Sequence, residues 1–167
     1  VIGLAQGTQP IESFNYGARN ISRVKKAYKL AVRAGLAVSI AAFVVFQMFP
    51  RQILEMFANS NASDGYYEFG TKFFSMFLFF TWINCLQPIS STFFTSIGKS
   101  IKGVFLSLTR QIIFFIPILL ILPVFYGITG ILYTGLIADV LSAIFAVCMT
   151  IYEFRLMNRL EEQTQGK

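Results

Sequence analysis

The residues able to do chemistry in this chain are few, and they stand inside long apolar runs. Three carry charge: Glu12, Arg110 and Asp139. An ionisable group inside a membrane-length apolar segment is expensive, so each needs a partner or a cavity. Two amide pairs stand at prolines, Gln6 and Gln9 before Pro10, and Asn84 and Gln87 before Pro88. Pro10, Pro88 and Pro117 have no amide proton, which leaves the carbonyls of Gln6, Asn84 and Ile113 without a helical partner. Polar knots in mid-membrane are therefore expected around Gln6–Gln9 and Asn84–Gln87. The two stretches echo each other, Gln9-Pro10-Ile11-Glu12-Ser13 and Gln87-Pro88-Ile89-Ser90-Ser91. A knot of this kind reads either as a kinked helix lining a transport cavity or as a packing kink satisfied by neighbouring hydroxyls. Both readings stay open for Asn84 and Gln87.

The three charges read as structural. Glu12 lies within two turns of a run of cations, so a local ion pair with that run is expected. Asp139 is a proton or cation site, or an acid bonded to neighbouring helices; we read it as the second. At 1.5 Å per helical residue, Arg110 stands roughly 12 Å from the basic end of its segment and Asp139 roughly 24 Å from its own. That offset exceeds the comfortable reach of one arginine, so no direct pair is expected, and Arg110 should snorkel instead.

Enzyme chemistry finds little support. The chain has no histidine, which removes the usual general base and most transition-metal sites. Cys85 and Cys148 lie in separate apolar runs and read as small hydrophobes, not as a disulfide or metal pair. No catalytic residue, metal site or cofactor is expected. A net charge of +6 raises nucleic acid as a partner. The cations sit at the ends of apolar runs rather than over one basic face, so that partner is excluded.

These residues must be positioned by membrane helices. Hydrophobic residues make up 55% of the chain and charged residues 13%, about half the charge of a soluble domain, and mean hydropathy is +0.62. The expected architecture is an all-α antiparallel transmembrane bundle in contact with the lipid bilayer. Residues 1–17 read as the end of a transmembrane helix that starts upstream, with Gly17 at the position of a C-terminal cap. A basic loop follows at 18–29, holding Arg19, Arg23, Lys25, Lys26 and Lys29. Four spans are expected at about 30–49, 69–97, 103–125 and 128–152, from the roughly 20 apolar residues a span needs. The third is expected to be interrupted at Pro88, and a short interfacial helix falls near Ile53–Phe57. Residues 153–167 read as a polar tail with a short surface helix. Placing the basic loop in the cytoplasm puts Lys99, Lys102, Arg155 and Arg159 there too, so the C-terminus is expected on the cytoplasmic side of a plasma membrane.

Several motifs then resemble one family. Gly3-Leu4-Ala5-Gln6-Gly7-Thr8-Gln9-Pro10-Ile11, running into Phe14-Asn15-Tyr16-Gly17-Ala18, resembles the second-half signature of the multidrug and toxin extrusion (MATE) transporters. Phe94-Thr95-Ser96-Ile97-Gly98-Lys99, Arg110-Gln111 with Ile116-Pro117, Gly127-Ile128-Thr129-Gly130-Ile131 and Ile137-Ala138-Asp139 match in order and spacing. The resemblance implies two six-helix lobes and drug extrusion coupled to sodium or proton entry in a bacterial inner membrane. This chain would run from the end of the eighth helix through the twelfth, and its partner would be the missing N-terminal lobe. One branch of the family uses a tenth-helix carboxylate for the coupling cation. The matching region here, around Asn84 and Cys85, has none, so the chain looks more like the DinF- or MepA-like bacterial group. Gln6, Gln9, Asn84 and Gln87 are then the candidates for a cavity wall taking small apolar or cationic drugs. A related lipid-linked polysaccharide flippase would want several deep cations and has only Arg110. A membrane assembly subunit would not need paired polar-proline kinks.

Overall fold

The computed structural model describes residues 1–57 and 64–165, all of its regular structure helical. The expected turn at Asn59–Gly65 lies mostly outside the described residues. Helix α1 spans Ile2–Gly17, α2 Ile21–Met48, α3 Pro50–Phe57, α4 Asp64–Phe77 and α5 Leu86–Ser96. Helix α6 spans Ser100–Leu108, a π-helical turn Thr109–Phe115, α7 Ile116–Tyr126 and α8 Ile128–Gln165.

Local chemistry sets the ends. Asn20 caps α2, its side chain accepting from the Arg23 amide at 3.2 Å, which supplies one of the donors a helix start leaves unpaired. The cations expected in a loop at 18–29 therefore ride mostly on the first turns of α2, and the loop is only Ala18–Asn20. Gly17 is not the cap residue: the left-handed position falls on Arg19, with φ 57°, and the Asn20 amide closes the turn on the Asn15 carbonyl at 2.8 Å. Helix α5 ends by the same geometry on a glycine, Gly98 at φ 77°, with the Lys99 amide on the Phe94 carbonyl at 2.9 Å. Pro50 needs no amide partner at the first position of α3, so the chain stops α2 and restarts at once.

Three helical stretches are long and apolar enough to cross a membrane: Ile21–Met48, Ser100–Tyr126 and Thr129–Arg159. The span expected at 69–97 is instead two shorter helices, α4 and α5, separated by consecutive tight turns at residues 78–85. The break lies before Pro88, which occupies the first turn of α5, where a missing amide proton costs nothing. At Pro117 the chain widens rather than kinks: the Ile116 amide reaches back five residues to the Gln111 carbonyl. Thr109 marks the start of that turn by bonding its hydroxyl to the Phe105 carbonyl at 2.6 Å, a back-bond that loosens helices. The tail expected as a separate surface helix is the continuation of α8, which runs 38 residues.

Helix α5 is the centre of the bundle. Ile89, Phe93 and Phe94 are buried, and α5 packs against α1, α2, α6 and α8. The Tyr28 ring of α2 meets Phe93 at 4.9 Å and the α8 residue Phe154 at 5.4 Å. Helix α7 buries no side chain against the rest of the described chain, as a helix apolar all round does when its surroundings are also apolar.

Candidate functional site

The interior is held by polar contacts that join helices far apart in sequence. Tyr28 Oη lies 2.8 Å from Ser90 Oγ and 3.5 Å from Thr150 Oγ1, linking α2, α5 and α8. Gln87 donates its side-chain amide to the Leu106 carbonyl at 3.1 Å, and Ser91 Oγ donates to the Gly103 carbonyl at 2.8 Å. At one end of the bundle Glu153 is fully buried and ion-paired to both Lys99 and Lys102, the latter at 2.9 Å. Lys25 donates to Asn158 at that same end. The start of α2, the start of α6 and the later turns of α8 thus share one end of the molecule, as expected from the distribution of cations. Tyr28→Phe should lower the thermal stability of the folded protein by about 1–2 kcal/mol, because Ser90 is buried and keeps no hydroxyl partner on α2.

Arg110 and Asp139 form the direct ion pair that was not expected. Nε and Nη2 of Arg110 both donate to Asp139 Oδ1, at 2.9 and 2.6 Å. The axial count assumed two straight α-helices. Arg110 instead stands in the π-helical turn, which packs against α8, and its extended side chain covers the remaining offset. Asp139 is then a structural acid with a fixed partner, as read from the sequence, but by another route.

Glu12 also departs from expectation. It pairs with none of the cations nearby. It is 1% exposed, faces α5, and stands 2.8 Å by Oε2 from Ser96 Oγ; its Oε1 has no partner. The reason is helical phase. Ala5 and Glu12 lie seven residues apart on one buried face of α1, while Arg23 and Lys26 line a groove of about 370 Å³ on another side, with Thr8, Ile11 and Asn15.

The amide candidates scatter. Gln6 is exposed, Gln9 and Asn84 are half-buried, and Gln87 is held by α6. Helix α1 turns back into α2, and α2 crosses α5 with Tyr28 at Ser90 and Gly35 against Ile89 and Cys85. Helices α1 and α5 therefore run the same way. With Glu12 level with Ser96, Pro10 and Pro88 are offset by six residues, about 9 Å along the axis. The two motifs share a direction but not a level. Cys85 is buried; Cys148, read as a buried hydrophobe, is exposed.

Apolar helices of membrane length, joined by short turns and sealed by buried polar pairs, define a polytopic helical membrane protein. Known proteins narrow the class: the sequence model of the MatE family matches residues 1–121, and the chain belongs to that family. It is similar to the MATE multidrug transporter DinF-BH, solved in complex with rhodamine 6G, with 34% identity and a TM-score of 0.84 over 93% of this chain and 34% of that one. An outward-facing MATE family transporter of the MOP superfamily is similar at 18% identity and TM-score 0.85, covering 93% of this chain and 35% of its own. An inward-facing one is similar at 18% identity and TM-score 0.87, over 93% and 36%. The chain spans about a third of the length of these structures. No curated protein matches it.

Proposed function

We propose that this chain is the C-terminal part of a cation-coupled multidrug efflux antiporter that works by alternating access. The observation that carries the reading is the 34% identity to DinF-BH over 93% of this chain. The near-equal likeness to an outward-facing and an inward-facing structure supports a lobe that keeps its packing while rocking against another. Sodium or proton is the coupling ion. The cavity wall is formed by Gln6, Gln9, Asn84 and Gln87, with hydrogen bonds among phenylalanines that accept apolar or cationic drugs. The setting is a bacterial inner membrane, with the lysine-rich end of the bundle and the C-terminus in the cytoplasm.

Drug accumulation in cells expressing the full-length parent tests the cavity. Asn84→Leu and Gln87→Leu should each lower efflux of a cationic rhodamine dye about fivefold, the equivalent of one polar contact worth about 1 kcal/mol. Efflux at the parent's rate by both variants, at matched expression, would remove these residues from the cavity.

A further inference from the structure

Glu12 is the one described side chain whose buried polar atom goes unsatisfied. Its surroundings decide which form of the carboxyl fits. From α2, Tyr28 faces it across the core, while Arg23 and Lys26 turn to the outer groove and Lys25 is bound to Asn158. From α5 the neighbour is Ser96. Lys99, just past the end of α5, is bound to Glu153. Among the described residues no cation stands within ion-pair distance of Glu12.

Ser96 has a single hydroxyl hydrogen and two oxygens within reach, the Phe93 carbonyl at 2.7 Å and Glu12 Oε2 at 2.8 Å. An ionised Glu12 would compete with the backbone for that hydrogen and leave Oε1 bearing charge in an apolar core, the costliest arrangement available. A neutral Glu12 resolves both contacts. Its own O–H donates to Ser96 Oγ, and Ser96 donates to the Phe93 carbonyl. Oε1 is then an uncharged carbonyl oxygen, whose burial is far cheaper.

We propose that Glu12 is a proton-binding site of this lobe. It holds a proton while α1 is packed on α5 through Ser96. When that contact opens, the O–H bond breaks, the proton passes to water at the lysine-rich end of the bundle, and the carboxylate is hydrated. The packing of α1 on α5 is then linked to proton concentration at that end. The site stands on the geometry of the lobe and does not depend on the efflux reading. Where that reading holds, it gives protons a point of action separate from the half of the bundle that carries Asn84 and Gln87.

The test uses the purified full-length transporter and no drug, so its failure is distinct from a failure of the efflux reading. Spin labels replace the exposed residues Ala18, after α1, and Ser100, after α5, with the native cysteines removed. The inter-label distance should lengthen as pH rises in the parent and stay short in Glu12→Gln, whose amide still donates to Ser96. Infrared difference spectra should show a neutral carboxyl band at neutral pH that Glu12→Gln abolishes. If Glu12→Gln does not fold, Ser96→Ala serves: without its acceptor the neutral acid is less stable, so the opening transition should move to lower pH. An identical pH response in Glu12→Gln, an unmoved transition in Ser96→Ala, or no neutral carboxyl band assigned to Glu12 would overturn the proposal.

Discussion

Replacing Asp139 with leucine should cost the bundle about 3 kcal/mol, the lower end of what removing one partner of a buried ion pair costs. The aspartate side chain is 6% exposed and the arginine side chain 27%. Deleting the acid strands the Arg110 guanidinium, which had aimed two N–H groups at one oxygen. Its residual exposure lets it turn partly outward, and that keeps the loss below the full range. Asp139→Asn retains an acceptor and should lose less. Arg110→Met combined with Asp139→Leu should recover most of the stability, because well-packed apolar groups replace a buried pair at little cost. Thermal unfolding of the purified full-length protein in detergent measures all three. A stable Asp139→Leu single variant would show that the pair does not hold the π-helical turn to α8. Asp139→Asn that folds normally but exports no drug would assign the acid to transport instead of structure.

The spans were legible because length and hydropathy are local. Residues 30–49, 103–125 and 128–152 each fall within a helix or helical run of membrane length. Features that depended on a distant partner were not. Glu12 looked like the mate of the adjacent cations, but its neighbour Ser96 is 84 residues away. The clue was phase: Ala5 and Glu12 share a face, and a small residue such as alanine marks close approach between membrane helices. Helix α8 carries the clearer version. Asp139, Ser142, Ala146, Thr150, Glu153 and Met157 recur at helical spacing and are all buried, which also shows that the helix passes Tyr152 without stopping. The prolines pointed to breaks without giving their form. Whether a chain kinks, restarts or widens depends on which carbonyls find other donors, and those come from the fold.

Gly103→Ala should damage the bundle more than the loss of any single hydrogen bond within it. A Cβ at that position would lie 2.6 Å from the Ser91 carbonyl oxygen and 2.8 Å from Thr95 Oγ1. The first of these atoms is backbone, so it cannot turn aside as the tip of a flexible side chain would. Helices α5 and α6 approach each other through this glycine, and Ser91 Oγ bonds its carbonyl at 2.8 Å. Separating them would also strain the Gln87 contact to the Leu106 carbonyl one turn further along α6. Overpacking at a rigid contact costs about 1–3 kcal/mol for one added carbon, and Gly103→Leu should exceed that range and block accumulation of folded protein. Gly3→Ala is the matched control, since nothing lies within 4 Å of its Cβ position. There the substitution should be neutral or slightly stabilising, because alanine is the better helix former by up to about 1 kcal/mol. Thermal unfolding of both variants separates the two cases. Equal midpoints would mean that α5 and α6 do not depend on this approach, and that the polar contacts of Ser91 and Gln87 hold them together unaided.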